Sequence, residues 1–283
     1  MFASFMVNAW IAATIVAVVA GVVGFFIVMR GSSFMAHAVP HGAFAGAAWA
    51  VLAGFNPLIG LGIFAGAGAV AISVMSRRRA RGDVVTALAL TMMLGLGAFF
   101  LSRSGVYSSQ VFALLFGQIL GVSSVQIVPV AVLGALCLAT VAVVYRPLML
   151  ASVLPDMTAP RGVNAGRMSL VFALVVAAAT TMSVPIVGAL LMFALLVGPP
   201  AAAACLVRRP GRAIGLSVAF ALVTVWAAIA LAYLTDLPVG FFVTSVSAVL
   251  YLVGRVVSGR SRRRGSGKRR QAVRSSAPVG AAA

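Results

Sequence analysis

Acidic side chains are scarce in this sequence, which has three Asp and Glu residues against 21 Lys and Arg. Only 8% of its residues are charged, whereas a soluble domain carries roughly 25%. The chain is 63% hydrophobic, and several apolar runs reach the roughly 18–20 residues that cross a bilayer. These runs are continuous and do not alternate apolar with polar residues, which argues against a membrane β-barrel. The sequence therefore excludes a soluble domain and predicts a polytopic α-helical membrane protein.

Cysteine and lysine are also rare. Cys137 and Cys205 lie in separate apolar runs, without the paired spacing of a metal site or a redox motif. We interpret both as small buried side chains. The sole lysine is Lys268, and the pattern Gly-x4-Gly-Lys-Ser/Thr is missing. The chain is therefore not expected to hydrolyse ATP by the mechanism that this phosphate-binding loop supports.

The apolar runs predict an all-α protein with nine membrane spans. The run from Val111 to Val122 is too short to span and predicts a re-entrant or interfacial helix. An eight-span arrangement stays open, because this segment and the one around Thr180 are ambiguous. The longest polar connection before the tail extends from Arg146 to Arg167. The predicted spans cover approximately residues 8–29, 34–53, 58–75, 84–101, 126–145, 168–182, 186–206, 213–234 and 239–257.

Basic residues are grouped in a way that predicts topology. With the N-terminus outside and the C-terminus in the cytoplasm, the inner connections hold nearly all of them and the outer ones hold only Arg103, as the positive-inside rule requires. We expect a multi-pass membrane domain at 1–257 and a basic, disordered tail at 258–283. This grouping argues against nucleic acid as a partner, and membrane lipids with anionic headgroups are the expected contact of the tail.

Both histidines of the chain lie four residues apart in the second predicted span. Positions i and i+4 of a helix share one face, so His37 and His41 can hold one metal ion between them. Ionisable side chains at membrane depth are functional candidates. The alternative is a structural pair of neutral imidazoles, bonded to facing helices or to a backbone carbonyl that Pro40 leaves free.

Several short motifs occur in a fixed order. The first group is Arg30, Ser33-Phe34, Ala36-His37-Ala38, Pro40-His41-Gly42 and Ala45-Gly46. Later ones are Asn56-Pro57, Asp83, Leu115-Phe116-Gly117-Gln118-Ile119-Leu120, Pro155-Asp156 with Gly162, the run from Val187 to Pro199, and Asp236-Leu237-Pro238. In order and spacing, these resemble the membrane permease of the zinc/manganese/iron family of metal-ion ABC importers. The similarity covers approximately residues 10–257.

The resemblance implies a permease subunit of the type II ABC importer kind in the plasma membrane. It implies a homodimer, or a heterodimer with a paralogue, around a central metal pathway. A separate cytoplasmic ATP-binding subunit would drive transport, and an extracellular metal-binding protein would deliver the ion. Pro155, Asp156 and Gly162 match the coupling region that contacts the ATPase, although an ordinary polar loop is the alternative. No permanently bound cofactor is implied, since the divalent metal is the cargo.

The chain departs from this family at three positions. The family's aspartate is His37 here, its serine is Pro40, and the proline before its glycine is Ala45. His41 keeps the family's metal-contacting histidine, whereas His37 replaces a hard carboxylate with an imidazole. Paired imidazoles suit zinc better than manganese, so we favour zinc as cargo. A permease for a metal chelate or cobalamin-like ligand, and a secondary transporter working alone, stay open as alternatives.

Overall fold

Helices make up all the regular secondary structure in the described part of the chain. A computed structural model describes residues 4–75, 82–104, 117–207, 209–235 and 237–275. Short 3-10 turns lie at Ile119–Gly121, Pro155–Met157 and Ala159–Arg161. The α-helices are α1 (Ser4–Met29), α2 (Ser33–Ala53), α3 (Pro57–Met75), α4 (Gly82–Ser104), α5 (Ser124–Val143), α6 (Tyr145–Val153), α7 (Ala165–Val187), α8 (Ala189–Leu206), α9 (Pro210–Thr235) and α10 (Val239–Ser275).

Every helix except the nine-residue α6 has at least 18 residues. Within the described ranges, seven helices are long and apolar enough to cross a membrane. The two remaining long helices are α2, which carries both histidines and an internal Pro40, and α8, whose apolar stretch at Leu191–Leu206 is shorter. The all-α membrane fold is therefore confirmed, and the exact number of nine spans stays a prediction.

Helix α1 forms the centre of the bundle and packs against α5, α7, α8 and α9. Its Phe25, Phe26 and Ile27 are fully buried. Helix α2 lies to one side, where it packs against α3 and α4 and also contacts α7 and α8. Lipid tails are as apolar as leucine side chains, so membrane helices associate through close packing at small residues. Gly46 of α2 and Gly60 of α3 supply such a contact, since a Cβ on either would overlap the other's carbonyl oxygen.

The connection after α5 differs from its prediction. The polar segment expected from Arg146 to Arg167 begins with a short helix, α6, and continues through two 3-10 turns. Pro147 does not prevent this helix, because it lies in the first turn, where backbone N–H groups have no helical partner. Leu148 anchors α6 because its side chain is fully buried.

The break between α7 and α8 also lies elsewhere than predicted. The sequence predicts a gap at 183–185, yet α7 continues through Pro185 to Val187. Pro185 has no N–H to donate to the Thr181 carbonyl, a loss that neighbouring helices make tolerable in membrane proteins. The chain instead turns at Gly188, whose φ of +89° is a conformation that glycine adopts readily. The Gln118 N–H donates to the Ile186 carbonyl at 3.0 Å, which ties the segment before α5 to this break.

The C-terminal helix α10 continues to Ser275, past residue 257, where an unstructured tail was expected. Arginine, lysine and glutamine have high helix propensity, which favours this continuation. The division into a domain at 1–257 and a tail stays a prediction. Three other predicted features fall outside the described residues: the basic cluster at 77–81, the first part of the short segment starting at Val111, and Asp236.

Candidate functional site

Helix α2 places the two histidines inside the bundle. It ends at Gly54, whose φ of +75° turns the chain so that the Phe55 N–H donates to the Ala50 carbonyl at 3.0 Å, as in many helix C-caps. Most of its residues from Ala36 to Ala50 are buried. Pro40 is accommodated within the helix, although it has no N–H for the carbonyl of Ala36. The side chains of His37 and His41 therefore start one turn apart on a buried helix.

The structure brings the two imidazoles together as their spacing predicts. Their ring centroids are 4.3 Å apart, with a tilt of 39° between the planes. The Nδ1 of His41 lies 2.9 Å from the His37 carbonyl oxygen. Because a carbonyl can only accept, Nδ1 carries the proton, and the lone pair of the neutral ring is on Nε2. A backbone bond at one ring nitrogen and a free lone pair at the other is a usual arrangement of a metal-binding histidine.

His37 has a different environment. Its Nδ1 is buried and has no hydrogen-bond partner among the described residues. Two aromatic rings flank the imidazole: Phe193 of α8 meets it edge-on at 4.8 Å, and Phe34 stacks at 6.5 Å. A buried polar atom without a partner is costly. An incoming cation would give this nitrogen a partner.

Two imidazoles are the metal ligands that the described residues of one chain bring together. The described part of the structure contains no group of three or more His, Cys, Asp or Glu side chains placed to hold a metal ion. Cys137 is remote from such a role, because its buried thiol donates to the Val175 carbonyl at 3.7 Å. A complete coordination shell would need water or groups from a second chain. Two ligands suit transient binding, which transport requires because the ion must leave again.

The predicted coupling residues form a separate exposed surface. Pro155 and Asp156 lie in one 3-10 turn, and Gly162 ends the next one with a φ of +71°. The buried Thr158 holds the first turn together, since its hydroxyl donates to the Pro155 carbonyl at 2.7 Å. Met157 is 52% exposed beside Asp156. Pro155, Asp156 and Gly162 therefore lie together on two consecutive exposed turns.

The sequence profile described as the ABC 3 transport family matches residues 2–258. The chain belongs to this family. Its membership confirms the expected resemblance to permeases of metal-ion ABC importers.

Two curated relatives are named for manganese. The manganese transport system membrane protein MntC of Listeria monocytogenes is 26% identical over 251 residues, which is 88% of this chain and 89% of the relative. The manganese import system permease protein ScaB of Streptococcus parasanguinis is 26% identical over 260 residues, 92% of each chain. The solved structure of PsaBC from Streptococcus pneumoniae in complex with Fab has a TM-score of 0.81 and 24% identity, covering 89% of this chain and 91% of that one. This likeness shows a shared fold.

Sequence reasoning missed Phe193 as a neighbour of His37. It lies 156 positions further along the chain, inside an apolar run where any large side chain would fit the pattern. Only the packing of α8 against α2 brings the two rings together. No sequence signal of spacing or composition would have singled out this phenylalanine.

Proposed function

We propose that this chain is the membrane-spanning permease subunit of an ABC importer that moves a divalent transition metal into the cytoplasm, and that the ion passes between His37 and His41. The observation that carries the proposal is the pairing of the two rings at 4.3 Å inside a buried helix of an ABC 3 family chain. The Nδ1 of His37, which has no hydrogen-bond partner in the described part of the chain, supports the same assignment. The chain itself is not the enzyme, and a separate ATPase supplies the energy.

The partners follow from this role. A second copy of the chain, or a paralogue, would add its own ligands across a central pathway, which would complete a shell that one chain leaves at two imidazoles. The exposed turn with Pro155, Asp156 and Gly162 would contact the cytoplasmic ATPase. An extracellular binding protein would deliver the ion at the opposite side. In this arrangement the N-terminus is outside and the C-terminus is in the cytoplasm.

The identity of the metal depends on two opposing indications. The curated relatives are named for manganese, whereas an imidazole pair without a carboxylate suits zinc better than manganese. We give more weight to the ligands of this chain, since they contact the ion directly. Zinc is therefore the proposed cargo.

Uptake by proteoliposomes that hold this chain, its ATPase and its binding protein tests the proposal. We expect ATP-dependent zinc uptake, reduced at least about tenfold in H37A and in H41A. Met92→Ala serves as the control, because Met92 is 68% exposed on α4, and it should transport like the parent. The variant H37D adds a hard oxygen ligand and should move the preference toward manganese.

Each result has a clear meaning. Zinc uptake that persists in H37A and H41A would mean that both histidines have only a structural role. An intact complex that hydrolyses ATP but takes up no free metal would overturn the proposal in favour of a chelated ligand.

A further inference from the structure

The ring of Phe193 occupies the space beside His37. It approaches the imidazole edge-on, with centroids 4.8 Å apart and planes at 74°, the arrangement that aromatic pairs prefer. His41 lies 4.3 Å away from His37 and Phe34 lies at 6.5 Å. The His37 imidazole is thus in contact with three rings from two helices, and only one of them, His41, has polar atoms.

A metal-binding histidine is normally oriented by a hydrogen bond from its second ring nitrogen to a carboxylate, carbonyl or water. His41 has such a bond, to a carbonyl. His37 has none at Nδ1 within the described residues. The orientation of its ring is therefore set by packing, and Phe193 is the nearest aromatic side chain from another helix.

Helix α8 holds Phe193 firmly in this place. On another face of the helix, the side chain of Leu191 lies directly over Gly240 of α10, where an added Cβ would come within 2.9 Å of it. Two turns further on, the side chain of Ser247 of α10 lies over Gly198 of α8, where an added Cβ would come within 2.8 Å of it. Because α8 is packed this closely against α10, the phenylalanine has little room to move away from α2.

We propose that Phe193 determines the metal specificity of the site, an inference that rests on the proposed function of the two histidines. Its ring fixes the orientation of His37 and fills the volume where water bound to the metal would otherwise lie. Zinc binds with four ligands, whereas manganese and magnesium favour six-coordinate shells rich in oxygen. An apolar ring beside the site therefore selects against ions that must keep several waters.

Metal binding to the purified full chain in lipid nanodiscs tests this assignment. Equilibrium dialysis against radioactive zinc and radioactive manganese gives the ratio of the two dissociation constants for each variant. Phe193→Thr opens space and offers a hydroxyl, and we expect it to reduce the preference for zinc at least about tenfold. Phe193→Leu loses the ring but keeps the site apolar, so its ratio should lie between those of the parent and Phe193→Thr. Phe99→Thr makes the same exchange on α4, where the side chain is 53% exposed, and should leave the ratio unchanged.

The ratio does not depend on how much protein is folded, because both metals are measured on one preparation. The variants H37A and H41A separate the two hypotheses. If they lose zinc while Phe193→Thr keeps the parent's ratio, the role of Phe193 is refuted and the histidine site stands. If zinc binding survives in both histidine variants, or the parent binds neither metal, the proposed site is refuted and the role of Phe193 with it.

Discussion

Helices α2 and α4 pack against each other, yet they are built in opposite ways. Helix α4 meets the length and hydropathy of a membrane span, and only 11% of its most apolar window is buried. Helix α2 falls outside that group of spans within the described residues, and most of it is buried. The helix that meets the criteria of a membrane span is therefore the more exposed of the two.

The contrast shows what decides burial in this protein. Exposure to lipid costs an apolar side chain nothing, so α4 can present Leu88, Met92 and Phe99 outward at 66%, 68% and 53%. Buried positions favour small residues, because these permit close contact between helices. Buried positions also keep polar groups out of contact with lipid. Helix α2 combines both, since glycine and alanine surround its histidines. The two histidines therefore share a buried helix with the close backbone contact at Gly46.

The largest expected effect comes from enlarging a glycine of α2. In Gly46→Leu the new side chain would overlap the Gly60 carbonyl oxygen of α3, and a backbone atom cannot yield as a flexible side chain does. We expect loss of most monodisperse protein in size-exclusion chromatography. Gly95→Leu on α4 is the matched control, because nothing lies within 4 Å of its added Cβ. Equal yields of monodisperse Gly46→Leu and Gly95→Leu protein would contradict the conclusion that α2 is closely packed and α4 is not.

A smaller effect is expected from paired phenylalanines. Phe44 of α2 is 6% exposed, while Phe99 of α4 is 53% exposed. Truncating a buried phenylalanine to alanine leaves a cavity and costs about 3 to 5 kcal/mol in well-packed cores. Phe44→Ala should therefore lower the midpoint of thermal unfolding in detergent clearly, and Phe99→Ala should change it little. A Phe99→Ala variant as unstable as Phe44→Ala would mean that α4 packs against protein at this position.

The sequence allowed most helices to be predicted, because each is a long apolar run bounded by glycine, proline or arginine. The errors have local causes. Both misplaced boundaries lie beside prolines that the structure keeps inside helices: Pro147 is in the first turn of α6, where no N–H is needed, and Pro185 is in the last turn of α7. The actual break between α7 and α8 lies at Gly188, which has a positive φ. Glycine permits this conformation but does not require it, so the sequence alone does not locate the break.

The candidate site could be predicted only in part. The spacing of His37 and His41 fixed their shared face, and the rings do meet. Two features depend on which helices become neighbours: Nδ1 of His37 lacks a partner among the residues that the structure describes, and the His37 ring meets Phe193. That arrangement is a property of the whole bundle, so no local pattern contains it.

The smallest expected effect concerns the first turns of the two helices. Helix α4 carries Asp83 in its first turn, whereas the first turn of α2 has no acidic residue. A carboxylate near a helix N-terminus stabilises the helix by about 0.3 to 1 kcal/mol at low ionic strength, and salt screens this term. Asp83→Asn should therefore lower the unfolding midpoint slightly in low salt. The difference from the parent should disappear at high salt, where thermal unfolding of both proteins provides the internal control. A lower unfolding midpoint that persists at high salt would mean that Asp83 acts through a specific hydrogen bond. The first turn of α4 would then be held by a polar contact, and the helix dipole would not explain its difference from α2.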